Sequence, residues 1–169
     1  MSVVNGQERQ QMRTIRAYVD TSVFGGIKDE EFADASKRFF RRATAGEFTV
    51  LVSQVTFDEL DSAPREVQRV LRDLPGGSVE EVPFDAEARE LAGAYIDAGA
   101  LKPDSIEDAS HVAIATVARA DLILSWNFRH IVNYERIRKF NSVNIAQGYH
   151  QIEIRSPLEV GNDDQDEGI

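Results

Sequence analysis

The sequence predicts an α/β protein: a mostly parallel central sheet covered by helices on both faces, a three-layer α/β/α arrangement. Three observations predict it. Short apolar runs alternate with longer stretches of helical periodicity. The short runs are rich in β-branched residues, as strands buried on both faces are. Two of them end in polar side chains, where an open parallel sheet places its ligands. At 169 residues the chain is long enough for one good core, and no internal repeat interrupts it.

The polar stretch 1–12 is expected to be a disordered leader, with residues 13–156 as the folded domain. Ile15 to Asp20 (IRAYVD) predicts a first strand ending in a carboxylate, broken by Gly25-Gly26. Phe32 to Glu47 has helical spacing, with Phe32, Ala35, Phe39, Phe40 and Ala43 on one side. Phe48 to Ser53 is a buried-type strand, and Ser53 is a good N-cap for a helix running through Glu59 toward Ala63. Pro64 ends that helix, Arg65 to Leu74 forms another, and Pro75-Gly76-Gly77 turns the chain.

Val79 to Phe84 predicts a third strand, after which Asp85 caps a helix through Ala98, stopped at Gly99. Ser105 opens a helix to Ala120, with Ile106, Ala109, Ala113, Thr116, Val117 and Ala120 as its buried stripe. Leu122 to Ser125 is a fourth strand, Ile131 to Phe140 a further helix, and Gln151 to Arg155 a last edge strand. The tail 157–169 is acidic and contains glycine, a composition expected to be disordered.

The absence of cysteine excludes disulfides, thiolate nucleophiles and sulfur-bound zinc. His111, His130 and His150 are too scattered to form a metal motif, so a metal would be held mainly by oxygen, which favours Mg²⁺ or Mn²⁺. No apolar run is long enough for a membrane span, and without a secretory h-region the cytoplasm is the expected location. The net charge of −10 argues against nucleic acid only in sum. Five acids lie in the tail, while bases cluster at Lys37, Arg38, Arg41 and Arg42 and again from Arg129 to Lys139. A solvated helix face explains such clusters equally well.

Four polar positions stand at the ends of apolar elements: Asp20 in YVDTS, Glu59 in VTFDELDSAP, Asp108 in SIEDASHVAIA and Asn127 in LILSWNFRHI. Clustered carboxylates are what a divalent cation needs in order to hydrolyse phosphodiesters with its own water. Gathered without a cation, the acids would repel one another. Each residue also has a purely structural reading. Asp20 suits an Asx-turn, Glu59 a solvated helix face, Asp108 the third position of a capping box opened by Ser105, and Asn127 a turn or cap.

Taken together, the motifs resemble the PIN domain family, in particular the virulence-associated protein C-like toxins of type II toxin–antitoxin systems. YVDTSVFGG is similar to the family's first-strand Asp motif, VTFDELDSAP to its helical Glu motif, and EDASHVAIATVARADLILSWNFRHI to its Asp-helix-strand-acid segment. The likeness runs from about Ile15 to Val143. It implies that Asp20, Glu59 and Asp108 hold Mg²⁺ or Mn²⁺, with Asn127 as a fourth catalytic position and Thr21 and Ser22 beside the metal. Many members carry Asp at the fourth position, and Asn127 keeps an oxygen acceptor while removing a negative charge. That departure bears on a second metal and on rate.

The family further implies a ribonuclease, often a homodimer, acting on an RNA substrate and inhibited by a small antitoxin. Arg38, Arg129 and His130 are candidate phosphate contacts, Trp126 reads as a packing residue and His111 as a histidine satisfied within the fold. Two other readings compete: an interaction module that has lost catalysis, and a phosphotransfer protein using Asp20. The phosphatase form of the latter wants an acid two residues on, where this chain has Ser22.

Overall fold

In the computed structural model, which describes residues 14–160, five parallel strands form one sheet in the order β3-β2-β1-β4-β5. The strands are β1 (Ile15–Val19), β2 (Phe48–Val52), β3 (Val79–Glu81), β4 (Leu122–Leu124) and β5 (Glu153–Arg155). Seven helices connect them: α1 (Thr21–Gly25), α2 (Ala33–Thr44), α3 (Gln54–Asp61), α4 (Arg65–Asp73), α5 (Ala86–Asp97), α6 (Ile106–Val117) and α7 (Tyr134–Ala146). None is long and apolar enough to cross a membrane among the described residues.

Strand alternation divides the core in two. Ala17, Val19, Val50, Val52 and Leu124 face a cluster built with α1, α2 and α4, whereas Tyr18, Leu51, Ile123 and Ile154 face one built with α5, α6 and α7. The chain builds outward from β1 to β3, then returns to place β4 on the other side of β1. Parallel crossovers are right-handed, so this reversal sends the later helices to the opposite face. It also creates a switch point between the carboxyl ends of β1 and β4.

The predicted elements are all present, with shifted ends. β3 stops at Glu81 rather than Phe84: Val82 N makes its last ladder bond to Val52 O (2.8 Å), and Pro83 has no N–H to continue. α7 runs from Tyr134 to Ala146 instead of from Ile131 to Phe140. The Asn133 side chain caps it by accepting from Arg136 N (3.2 Å), and Gly148, with φ of 87°, turns the chain away beyond its end. α6 ends at Val117, short of Ala120, in a Schellman turn whose left-handed residue is Arg119 (φ 56°). Ile106, expected in its buried stripe, is 45% exposed because it opens the helix at the rim of the sheet.

The expected tail begins with structure. Pro157–Glu159 form a 3₁₀ turn, closed by Glu159 accepting from Ser156 N (2.9 Å), and Val160 O takes a hydrogen bond from Arg42 Nη1 on α2 (2.6 Å). The remaining tail, 161–169, and the leader, 1–12, lie outside the described residues.

Candidate metal centre

Asp20 follows β1 directly, and the β1–β4 register fixes its neighbour. Val19 pairs with Leu124, so the next step sets Asp20 beside Ser125, and Asp20 N donates to Leu124 O (2.9 Å). Ser22 Oγ and Ser125 Oγ both donate to Asp20 Oδ2 at 2.7 Å. The same hydroxyls accept from Trp126 N and Asn127 N, each at 2.9 Å. One carboxylate oxygen is therefore held from two strand ends, and the other, Oδ1, is turned toward His111 Nε2 at 3.6 Å. Asp20 is 5% exposed.

Glu59 comes from α3, which begins immediately after β2 with Ser53 as N-cap; Ser53 N donates to Thr56 Oγ1 (3.1 Å). That start points Glu59, on the second turn, back over the strand ends. Its Oε1 hydrogen-bonds to His111 Nε2. His111 is 1% exposed, and its Nδ1 meets Tyr18 Oη (2.7 Å), which in turn bonds Ser53 Oγ (2.8 Å). Burial pushes the imidazole's pKa down. Tyr18, Glu59 and Asp20 beside it more than reverse that, so it stands well above the ordinary histidine value.

Ligand atoms of Asp20, Glu59 and His111 all lie within 4.8 Å of one another. His111 is satisfied at both nitrogens, as the sequence suggested, and is also part of the group. Asp108 is not. It lies one helical turn before His111, on the same side of α6, and its Oδ2 bonds His130 Nδ1 (2.8 Å). Ser105 makes no side-chain cap bond, so the capping-box reading of Asp108 is replaced by this pairing.

Asn127 sits at the same switch point, with its Oδ1 accepting from His130 N (2.9 Å) and thereby closing the turn after β4. Of the candidate phosphate contacts, His130 is spent on Asp108 through Nδ1. Arg129 is exposed in the turn beside it, and Arg38 lies half-buried on α2 with no hydrogen bond or ion pair to the acidic group among the described residues. Trp126 packs: it stacks on Phe32 (4.1 Å, 15°), donates to Ser36 Oγ (2.8 Å), and lies so close to Gly26 that a Cβ there would meet its Nε1 at 2.7 Å.

Sequence reasoning missed Ser125, Tyr18 and Ser53 as parts of the site. Ser125 was visible as the polar end of a strand, but only strand order shows that it adjoins Asp20. Thr21 Oγ1, next to the acids, is buried without a hydrogen-bond partner. It and Glu59 line a cleft of about 870 Å³ that runs out past Phe84, Arg89 and Ile106. Two hard carboxylates gathered beside one another suit a divalent ion with oxygen preference.

A doubly covered parallel sheet with two acids and a histidine gathered at its switch point defines a compact α/β/α protein. The PIN domain model matches residues 17–132, and the chain belongs to the PIN domain family. Its fold is shared with a chain of VapBC2 from Rickettsia felis, solved bound to a DNA fragment from its promoter. The two are 12% identical with a TM-score of 0.56, over 84% of this chain and 98% of that one. A chain of DNA-bound VapBC from Salmonella typhimurium is 17% identical with a TM-score of 0.51, over 85% and 99%. No curated protein matches by sequence.

Proposed function

We propose that this chain is a divalent-metal-dependent endoribonuclease and the toxin of a type II toxin–antitoxin pair. The observation that carries the reading is the convergence of Asp20 and Glu59 at the switch point, with the serines holding Asp20 Oδ2 and with Oδ1 turned toward His111 and Glu59. Mg²⁺ or Mn²⁺ bound there would activate water and offset charge on the phosphoryl group. Asp20 and Glu59 would hold the ion, while Asp108, one turn before His111 on α6, stays paired with His130 and would reach it only by giving up that bond. His111 orients Glu59, and the Thr21 hydroxyl offers its unused donor to a phosphate oxygen. Membership of the PIN family supports nuclease chemistry. The toxin role, with its antitoxin partner and homodimer, draws on the likeness in fold to chains of VapBC complexes.

The test is cleavage of single-stranded RNA with Mg²⁺ or Mn²⁺, with EDTA and Asp20→Asn as controls. Metal-dependent cleavage lost in the variant supports the reading; cleavage that persists in Asp20→Asn overturns it. A second reading, an interaction module without catalysis, is favoured by one observation: the fourth position is an amide whose oxygen closes a turn. Tight partner binding with no cleavage under any metal would select it.

A further inference from the structure

We propose that the cleft leading away from Glu59 is a nucleobase subsite, in which Phe84 and Arg89 form a stacking platform for a base next to the phosphate that is cut. The inference rests on the ribonuclease reading and deepens it. The Arg89 guanidinium lies over the Phe84 ring, 4.2 Å from its centroid, and Nη1 donates to Phe84 O at 2.8 Å. That bond uses one N–H of the guanidinium and anchors it beside the ring at the edge of the cleft. Ile106, 45% exposed, adds an apolar wall, and the cleft's volume is ample for a nucleotide.

The charge of the lining selects the part of the ligand that fits. Asp58, Glu59 and Glu107 line the same cleft, and Arg89 is its single cation among the described residues. A bare phosphate would meet net repulsion there, whereas a base is flat and uncharged and stacks on rings and guanidinium planes alike. Bases in single strands are free to splay onto such a platform, so the ligand is single-stranded RNA rather than duplex.

The experiment uses the full chain, a fluorescein-labelled single-stranded RNA, and Ca²⁺ as the hard cation for binding, with steady-state cleavage measured separately in Mn²⁺. Arg89→Ala and Phe84→Leu should each raise Kd and KM about 5- to 30-fold, with kcat changed less than about 3-fold. Arg89→Lys should rescue little, because an ammonium keeps the charge but not the plane. An RNA of equal length carrying abasic sites should bind the wild type about as weakly as intact RNA binds Arg89→Ala, and should bind that variant no worse.

Unchanged affinity in Arg89→Ala, an exposed position whose loss leaves the fold intact, overturns the subsite, as does wild-type protein that prefers abasic to intact RNA or binds neither. If the wild type cleaves RNA while the variants bind normally, the subsite fails and the nuclease stands. Base-dependent binding lost in the variants, without cleavage under any metal, keeps the subsite and removes the hydrolytic reading.

Discussion

On one face of the sheet, rings do the packing. Phe24, Phe39, Phe40 and Phe48 meet at centroid distances of 5.0–5.2 Å beneath α2. On the other face, polar groups are threaded through the core: Tyr18, Ser53 and His111 form one connected set. In a second, Tyr95 bonds Asn144 and Thr116, and burial raises the Tyr95 phenol's pKa far above its usual value. The aromatic face stabilises through area and shape, which tolerate local error. The polar face depends on every partner being present, because a buried group left alone costs the full desolvation penalty. Asp20 sits at the end of the sheet where the two faces meet, and its neighbour Glu59 is held by the polar one.

This comparison can be broken first on the aromatic side. Phe48→Ala should cost about 3–5 kcal/mol in urea unfolding. Manganese affinity of the molecules that remain folded should nonetheless stay within about 2-fold of wild type; a large drop would show that the two faces are not separable. On the polar side, His111→Leu keeps the volume but removes the partner of Glu59 Oε1 and one of the two partners of Tyr18 Oη. It should cost about 1–3 kcal/mol and weaken manganese binding about 10-fold or more by calorimetry.

His111 also carries a pH signature in the metal-free protein. Its folded pKa is raised, so its contribution is complete below the unfolded value of about 6.5 and is lost as pH rises through the folded one. The stability gap between wild type and His111→Leu should therefore narrow from pH 6 toward alkaline pH. A gap that widens would contradict the role of Glu59 and Asp20 in holding the proton.

Ser125→Ala removes one of two hydroxyls from Asp20 Oδ2 and the acceptor of Asn127 N, and should weaken metal binding by about 1–2 kcal/mol and lower the melting temperature by about 2–4 °C. Asn127→Asp, which adds a carboxylate beside the site, should raise metal affinity or cleavage roughly 3- to 10-fold; lower activity in soluble, folded protein would mean that position 127 serves only its turn. Arg119→Gly relieves the left-handed residue at the far end of α6 and should stabilise by about 0.5–1 kcal/mol without altering metal affinity. It is the control for a change in α6 that leaves the site alone.

The sequence alone carried the alternation of elements, because apolar periodicity is a local property of the chain, and with it the two-sided parallel sheet. It carried Asp20 and Glu59 for the same reason: each follows a strand closely, so its distance from the strand end is set by a few residues. Helix ends were less legible where a side chain made the boundary, as Asn133 does for α7.

Which groups meet was decided by the tertiary structure. Strand order put Ser125 beside Asp20. The rotation of α6 sent His111 inward to Glu59 while Asp108, one turn earlier, found His130 instead. Those pairings join residues 52, 105 and 22 positions apart. No local pattern encodes them, because they follow from a reversal of direction in the sheet and the register that packing then imposes.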